Sequence, residues 1–392
     1  MTILFYRYGS ICEPAIIQTF RQNGLTVVEI DDEITNKKIQ ASKRVEIIHN
    51  HISQYQPLFV FSINFFPSIA DICRIHNMLY LCWTVDSPVL ELFSNSIQHN
   101  TNRIFMFDGA QYEYFSSYNP ENIFHLPLAA DVPHYNNVIS SITPTDRETY
   151  ATDISFVGSL YNEKSVYPYL PLSRKDREIC DQLLSARTPL SGLYQTEDAL
   201  TPQIVTAFKK ADDSFYTLPD AFTDTDAFVA ANYYLGMELS SRDRISLLGS
   251  LSEEFDVHLF TRSDTSSLPK VHCHGGVSTH REMPFVFQQS KINLNITMCS
   301  IQTGLSQRIY DILGCGGFLL TNYQGEIPEY FEIGKDLDCY ESIAECHEKI
   351  AHYLANEDLR MEIANNGYQK VKAMHTYQIR IARILKIILA SV

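Results

Sequence analysis

Basic residues and tryptophan are scarce in this 392-residue sequence, which has one Trp and 31 Lys and Arg against 46 Asp and Glu. The formal net charge of −15 argues against a nucleic-acid partner, because phosphate backbones are held mainly by clustered Lys and Arg. No run of about 18 apolar residues is present to span a bilayer. The opening MTILFYRYGS has neither the basic nor the long apolar region of a signal peptide. We therefore expect a cytoplasmic protein without a transmembrane segment.

The sequence also lacks the features that indicate disulfide bonds. The nine cysteines are an odd number without a Cys-x-x-Cys pair, and several stand in apolar runs such as Leu81-Cys82-Trp83. This pattern favours reduced, buried thiols. Hydrophobic residues make up 45% of the chain, and its length exceeds what one hydrophobic core usually serves. Two folded domains are expected.

Short β-rich runs alternate with helical patterns through the first 130 residues, which indicates a parallel sheet with crossover helices. The predicted strands there are Ile3–Tyr6, Thr26–Ile30, Leu58–Ile63, Leu79–Thr84, Ile104–Phe107 and Ile123–His125. A second series is predicted at Asp153–Gly158, Asp256–Phe260, Lys291–Ile296 and Phe318–Thr321. Residues 165–240 lack strand alternation and are predicted as a helical insertion. The sequence thus predicts domains at 1–145 and 146–375, followed by a C-terminal helix over 376–392 that packs back toward the first domain.

The most informative segment runs from Ser306 to Phe331 and is predicted as a helix, a Gly316-Gly317 stop and a buried strand. Arg308 falls in the first helical turn, where the helix dipole makes a cation unfavourable unless an anion is bound. The free amides there and Arg308 would suit a nucleotide diphosphate, with Asp311 accepting from ribose hydroxyls. The alternative is a plain ion pair between Arg308 and Asp311, three residues apart.

With its Arg-hydrophobic-aromatic-Asp helix, Cys-Gly-Gly turn and Leu-Leu-Thr strand, the sequence resembles the CgeB-like (spore-maturation-protein type) group-1 glycosyltransferases. The resemblance extends to the tail from Glu341 through Tyr377 and to four shorter motifs. These motifs are Asn293-Leu-Asn295-Ile-Thr297, Ile154-Ser-Phe-Val-Gly158, Trp83-Thr-Val-Asp86-Ser-Pro88 and Leu126-Pro-Leu-Ala-Ala-Asp131. The resemblance implies an α/β protein of GT-B fold, with two Rossmann-like domains facing across a cleft and the insertion in the second. It also implies an acceptor on the first domain and a nucleotide-sugar donor on the second.

Several further residues are expected at the donor site of the second domain. Gly158 and Ser159 follow its first strand, where open α/β sheets present ligand-binding loops, although Gly158 could simply permit a tight turn. The resembling enzymes place nucleotide-base contacts in a loop like the one at His274 and Gly275. The other expected donor-site residues are Arg244, Asn295, Thr303, Arg308, Asp311 and Glu326. Thr303 stands where the wider group often carries a glutamate, eight positions before Asp311.

Asp86 follows a predicted strand of the first domain and is the candidate general base for an acceptor hydroxyl. Its alternative role is that of a turn residue before Ser87-Pro88. With Arg308 it completes the predicted catalytic pair. Asp224-Thr-Asp226 matches a metal-chelating pattern but lies in the polar insertion, and His272 and His274 lack companion ligands at zinc spacing. No obligatory metal or other cofactor is predicted.

These observations predict a glycosyltransferase that moves a sugar from a nucleoside diphosphate sugar, UDP- or GDP-linked, to a hydroxyl of a protein, glycan or small molecule. The first alternative is a nucleotide-sugar epimerase or phosphorylase on the same fold. The second is a GT-B-like module that binds glycans or proteins without turnover, which Thr303 favours and which Arg308 and Asp311 oppose.

Overall fold

The computed structural model describes residues 1–37, 39–186 and 196–390. The described residues contain twelve strands, β1 to β12 in chain order: Thr2–Tyr6, Thr26–Ile30, Phe59–Ile63, Leu79–Trp83, Asn102–Met106, Ile123–His125, Ile154–Val157, Val257–Phe260, His272–Cys273, Ile292–Asn295, Leu319–Asn322 and Asp338–Tyr340.

The α-helices α1 to α18 are, in chain order, Glu13–Gln22, Asp32–Thr35, Ala41–Tyr55, Pro67–Ile75, Gly109–Ser116, Val132–Ser140, Pro144–Tyr150, Arg174–Ala186, Thr196–Ala199, Pro202–Ala211, Asp226–Val229, Gly236–Leu251, Met283–Gln289, Gln307–Gly314, Ile327–Tyr330, Ile343–Ala355, Glu357–Met374 and Tyr377–Ala390. Three short 3₁₀ segments lie at Leu90–Phe93, Asn95–Gln98 and Tyr167–Tyr169, and a π-helical turn at Ala230–Leu235 leads into α12.

The chain forms two compact units. Unit 1 contains residues 1–128, the short segment 218–225 and the C-terminal helix α18, and unit 2 contains residues 129–217 and 226–376. The sequence predicts the boundary at 145/146, whereas the chain passes from unit 1 to unit 2 at 128/129. Helices α6 and α7 therefore belong to unit 2, where the Tyr135 hydroxyl on α6 donates to Asp311 at 2.7 Å.

Unit 1 is built on a six-stranded parallel sheet in the order β2-β1-β3-β4-β5-β6. Strands β3 and β5 are buried along their whole length, as expected of strands covered on both faces by crossover helices. Because all six strands are parallel, the residues that follow β1, β3 and β4 emerge at the same edge of the sheet.

The segment 218–225, which the sequence places in the helical insertion, packs on unit 1. The amide of Phe222 donates to the carbonyl of Phe93 at 2.9 Å, and the Phe222 ring stacks on Tyr118 with 4.2 Å between centroids. The rest of the predicted insertion is largely helical where it is described, and its residues 187–195 lie outside the described residues, as do 391 and 392 of the last helix.

Unit 2 is built on a second six-stranded parallel sheet, in the order β12-β11-β10-β7-β8-β9. The chain order reverses at the neighbouring strands β7 and β10, and such switch points leave a crevice at the carboxyl ends of the strands. The core under this sheet is apolar, with Ile154, Leu259 and Leu294 at or below 1% exposure. The sheet therefore positions the loops after β7, β8 and β10 at one edge.

Candidate functional site

A cavity of about 230 Å³ lies in unit 2 beside the carboxyl ends of β7 and β8. Residues from both strand ends, from the loop after β9, from α13 and from α14 form its walls. They are Val157, Gly158, Ser159, Glu163, Phe260, Thr261, Arg262, Ser263, Gly276, Val277, Thr279, Met283 and Arg308. Three of the predicted donor-site residues, Gly158, Ser159 and Arg308, thus line one cavity.

Arg308 reaches the cavity from the first turn of α14. One guanidinium nitrogen lies 3.2 Å from the Asp311 carboxylate and also contacts the Met283 sulfur, and the guanidinium lies 5.4 Å from the centre of the Phe287 ring. The ion pair considered from the sequence is therefore present, but the Arg308 side chain keeps 23% of its surface exposed. A cation at this place can both pair with Asp311 and face a ligand.

Ser306 precedes α14 but does not cap it. Its hydroxyl lies 3.4 Å from Asn295 Oδ1, and its side chain makes no capping hydrogen bond to the helix. Ser306 therefore stands at the N-cap position of α14 without the side-chain hydrogen bond of a cap. The N-terminus of α14, with the positive end of the helix dipole, lies beside Arg308.

Arg262 is a cavity residue that the sequence reasoning missed, and Gly276, also on the cavity wall, belongs to the predicted loop at His274 and Gly275. Arg262 follows β8 by two residues and makes no hydrogen bond or ion pair with any described residue. Its side chain lies across Gly276, where an added Cβ would come within 2.6 Å of the arginine. The position of Arg262 just after a buried strand was the available signal, but its contact with Gly276 depends on the tertiary fold.

Ser159 and Glu163 line another part of the cavity wall. The Ser159 hydroxyl donates to Glu163 Oε1 at 2.5 Å. Burial raises the pKa of Glu163, but hydrogen bonds from Ser159 and Ser263 and the charge of Lys164 outweigh it, so the pKa lies below its ordinary value. The carboxylate is therefore held, in its charged form, by hydroxyl groups that line the cavity.

Arg244 lies behind the turn at Gly158 and does not line the cavity. Its two terminal nitrogens donate to the backbone carbonyls of Ser159, at 2.5 Å, and Ile296, at 2.6 Å. Its guanidinium stacks between the rings of Phe156 and Tyr161. Burial is the main reason that the pKa of Arg244 is lowered. Arg244 thus braces the loops after β7 and β10 from within.

Asp311 is buried beside Arg308, with 3% of its side chain exposed. Its Oδ1 accepts from the Tyr135 hydroxyl at 2.7 Å and from the Gln307 amide at 2.8 Å. Burial raises the pKa of Asp311, and the charge of Arg308 opposes that shift. Three side chains therefore hold this carboxylate, and the assignment of Asp311 to ribose hydroxyls stays a prediction.

Asn295, Thr303 and Glu326 belong to buried or half-buried contacts at the ends of β10 and β11. The Asn295 amide donates to the hydroxyls of Thr297 and Thr321 at 3.0 and 2.9 Å. The Thr303 hydroxyl donates to Glu326 Oε1 at 2.8 Å. These residues lie in unit 2 but outside the walls of the cavity, so their role in donor binding remains untested.

His274 and Gly275 occupy the turn between β9 and the cavity. The His274 ring stacks on Phe260 at 4.7 Å and lies 2.8 Å from His258 through ring nitrogens. Burial, followed by the neighbouring histidines, lowers the pKa of His274. Gly275 has a φ of 75°, which a side chain would strain. Within the described ranges, no group of three or more His, Cys, Asp or Glu side chains is placed to hold a metal ion.

Asp86 lies in unit 1, three residues after β4, and its side chain is exposed. Its Oδ2 accepts from the Asn64 amide at 2.6 Å and from the Tyr8 hydroxyl at 3.3 Å. Asp86 thus belongs to a polar cluster at the carboxyl edge of the unit 1 sheet.

Comparison with known proteins links the two units to one fold. The chain is similar to sucrose-phosphate synthase from Thermosynechococcus elongatus, at 10% identity over 100% of both chains and a TM-score of 0.56. It is similar to a glycosyltransferase from Rickettsia africae, at 12% identity over 99% of this chain and 97% of the other, with a TM-score of 0.55. The Anabaena protein HepE, solved in complex with UDP and glucose, is 11% identical over 100% of both chains with a TM-score of 0.54. At these identities the likeness shows the fold, and the predicted α/β fold of GT-B type is confirmed.

A family model described as glycosyl transferase-like matches residues 238–386, which is less than half of the chain. The match covers α14 with Arg308 and Asp311 and supports glycosyltransferase activity in general. No curated protein matches the sequence. Within the described residues, no helix is both long and apolar enough to cross a membrane.

Proposed function

We propose that this protein transfers a sugar from a nucleoside diphosphate sugar to an acceptor hydroxyl, with the donor diphosphate held in the unit 2 cavity. The observation that carries the proposal is the pair Arg308 and Arg262 on one cavity whose walls also include the Gly158–Ser159 turn. Two guanidinium groups and nearby backbone amides are the groups that recognise phosphate oxygens.

The transfer breaks the bond between the sugar anomeric carbon and a diphosphate oxygen and forms a bond to the acceptor oxygen. Negative charge develops on the departing diphosphate, so fixed cations at that place stabilise the transition state. Arg308 and Arg262 supply this charge in the proposal. The proton of the acceptor hydroxyl passes to the Asp86 carboxylate, which acts as general base.

The proposal defines the donor nucleotide and the acceptor by their chemical classes. The Anabaena protein HepE was solved with UDP and glucose, which makes UDP the first nucleotide to test, with GDP next. The proposed acceptor is a hydroxyl of a protein, glycan or small molecule, and the proposal requires no metal ion. The family-model match over α14 supports donor binding in unit 2.

A thermal-shift panel of UDP, GDP, dTDP and ADP tests the donor site, because a ligand that binds only the folded state raises the unfolding temperature. One diphosphate is expected to raise the unfolding temperature of the wild type. Arg308→Ala and Arg262→Ala should each weaken its binding about tenfold, the loss expected when a charge-assisted hydrogen bond of about 1.4 kcal/mol is removed.

Arg174→Ala is the matched control, since Arg174 is an arginine of unit 2 whose side chain is 93% exposed and which, among the described residues, pairs only with Glu178 on its own helix. It should leave diphosphate binding unchanged. No response to any of the four diphosphates would contradict the proposal and favour a non-catalytic binding module. Product analysis with and without an acceptor separates transfer from epimerisation, which would convert the nucleotide sugar without one.

A further inference from the structure

Three neighbouring strands of unit 1 bring Tyr8, Asn64 and Asp86 together. Tyr8 follows β1 by two residues, Asn64 follows β3 directly and Asp86 follows β4 by three residues. Strands β1, β3 and β4 are adjacent and parallel, so these residues emerge at one sheet edge. The order of the sheet also reverses between β1 and β3, which is where open α/β sheets form ligand crevices.

Asn64 is held in an uncommon backbone conformation, with a φ of 56°. Non-glycine residues rarely adopt this left-handed conformation, although asparagine does so more readily than most. The Asn64 amide nitrogen donates to the carbonyl of Trp83 at 2.9 Å, and its Oδ1 accepts from the amides of Val85 at 3.0 Å and Asp86 at 3.4 Å. Asn64 is therefore fixed to the start of the Asp86 turn from several sides.

The remaining Asn64 group points at the carboxylate. Its side-chain amide donates to Asp86 Oδ2 at 2.6 Å and to the Tyr8 hydroxyl oxygen at 2.9 Å. The Tyr8 hydroxyl in turn donates to the same Oδ2 at 3.3 Å. Burial raises the pKa of Tyr8 well above its ordinary value, and the charge of Asp86 acts in the same direction. Tyr8 therefore remains a protonated donor.

One oxygen of Asp86 is held and the other is open. Oδ2 receives both donors, whereas Oδ1 has no hydrogen-bond partner among the described residues, and the residue is exposed. Two donors on one oxygen fix the orientation of the carboxylate, and the free oxygen can accept a proton from a hydroxyl. A turn aspartate would bond to the amides of its own turn, whereas Asp86 bonds to side chains from two other strands.

We propose that Asn64 is the positioning residue of Asp86, that Tyr8 assists it, and that this cluster is where unit 1 receives the acceptor hydroxyl. This inference rests on the proposed function, because a general base is needed only if the protein transfers a sugar. It adds Asn64 and Tyr8 to the residues of that function, and it assigns the acceptor hydroxyl to their cluster with Asp86.

Kinetics of UDP-glucose hydrolysis test the inference, with water as the acceptor hydroxyl and released UDP as the readout. Asn64→Gly keeps the left-handed backbone allowed and removes the donor; Asn64→Asp keeps the acceptor oxygen and removes the donor. Both should lower kcat about tenfold to 100-fold, since a misplaced general base loses much of its effect. The KM for UDP-glucose and the thermal shift with UDP should change less than twofold, because the donor cavity lies in unit 2. Tyr8→Phe should show a smaller loss of kcat.

Asn77→Gly is the matched control, because Asn77 is another left-handed asparagine of unit 1, with a φ of 49°, and its backbone amide donates to Arg74 rather than to the Asp86 cluster. It should leave kcat unchanged. Loss of activity in Asp86→Asn with full kcat in both Asn64 variants would overturn the inference and leave the proposed function standing. Full kcat in Asp86→Asn would overturn the general base itself. A wild type that releases no UDP from UDP-glucose and binds no diphosphate in the thermal-shift panel would overturn both proposals.

Discussion

Each unit has a loop after its first strand, at the carboxyl end of that strand in a parallel sheet. The two loops differ in which charged groups they face. In unit 1, Glu13 turns back into the loop after β1 and accepts the backbone amides of Tyr8, Gly9 and Ser10 at 2.9, 2.9 and 3.0 Å. In unit 2, the loop after β7 turns at Gly158 and opens onto the cavity. Glu13, an anion of the chain itself, fills the first loop, whereas the second faces a cavity lined by Arg262 and Arg308 as well as by Glu163.

This difference explains why the two units would bind different substrates. Three converging amides form a concavity that suits a phosphate, but in unit 1 the Glu13 carboxylate, whose side chain is fully buried, already occupies it. In unit 2 the cations Arg262 and Arg308 line the cavity, and Arg262 has no acidic partner in the described part of the chain. We therefore expect a diphosphate to bind at the second loop and not at the first.

The largest expected effect comes from removing Glu13, which fills the loop after β1. Glu13→Ala leaves three amides and the Arg7 guanidinium without their buried acceptor. Removing one partner of a buried, hydrogen-bonded charge costs about 3–5 kcal/mol, so the free energy of unfolding of unit 1 should fall by about that amount. Urea denaturation followed by circular dichroism measures it.

Glu29→Ala provides the comparison for Glu13→Ala, because Glu29 also pairs with Arg7, at 2.6 Å, but keeps 27% of its side chain exposed. Partly exposed ion pairs contribute about 1 kcal/mol or less, so this variant should lose much less stability. Equal losses in the two variants would show that the loop amides do not depend on Glu13.

Both sheets were largely predictable because buried strands carry continuous apolar runs. Strand β3 is buried throughout, and its predicted bounds lie within one residue of those in the structure. The predicted β10 is one residue too long at each end. Strands β9 and β12 were missed: β9 is two exposed residues, and β12 begins with an aspartate. A short or polar strand is specified by its neighbours in the sheet, which local sequence does not reveal.

The candidate site was predictable where strand ends and helix starts mark it. Gly158, Ser159 and Arg308 meet that criterion and lie on one cavity. The sequence also predicts Arg244 at the donor site, but Arg244 lies behind the loop and bonds to backbone carbonyls. Nothing in the pattern around α12 distinguishes a buried arginine from one that faces a ligand, since that depends on packing against Phe156.

Gly276→Ala tests whether diphosphate binding depends on the position of Arg262 on the cavity wall. The new Cβ would meet the Arg262 side chain at 2.6 Å, and this exposed side chain can move away with little cost to stability. Arg262 would then leave its place on the cavity wall, and the affinity for the selected diphosphate should fall about three- to fivefold, less than when the guanidinium is removed. Calorimetric titration measures the dissociation constant.

The control for Gly276→Ala is Gly249→Ala, since a Cβ at Gly249 would meet only Leu268, at 3.5 Å, an ordinary contact away from the cavity. Its diphosphate affinity should equal that of the wild type. Wild-type affinity in Gly276→Ala would mean that the position of Arg262 does not matter to binding.

The smallest expected effect has the opposite sign and concerns Glu163, the one acidic residue on the cavity wall. Its carboxylate takes the Ser159 hydroxyl, which a bound phosphate would also use, and it repels that phosphate. Glu163→Gln should therefore tighten binding of pyrophosphate about two- to threefold, a few tenths of a kcal/mol as is common for partly exposed charges. Glu178→Gln, on the exposed face of α8, should have no effect.

The pH dependence of that effect follows from the pKa of Glu163, which lies below its ordinary value in the free protein because hydrogen bonds from Ser159 and Ser263 outweigh burial. This carboxylate stabilises the fold while it is ionised, and that contribution is lost as the pH falls through the lowered pKa. A bound phosphate would compete for the Ser159 hydroxyl and add negative charge, so binding would raise the pKa and favour proton uptake. The advantage of Glu163→Gln over the wild type should therefore shrink as the pH is lowered from 7.5 toward 5, which calorimetry of both proteins at each pH measures. Because pyrophosphate titrates equally in both experiments, only the ratio of the two dissociation constants reports on Glu163, and a ratio that is constant with pH would place its carboxylate outside the reach of the ligand.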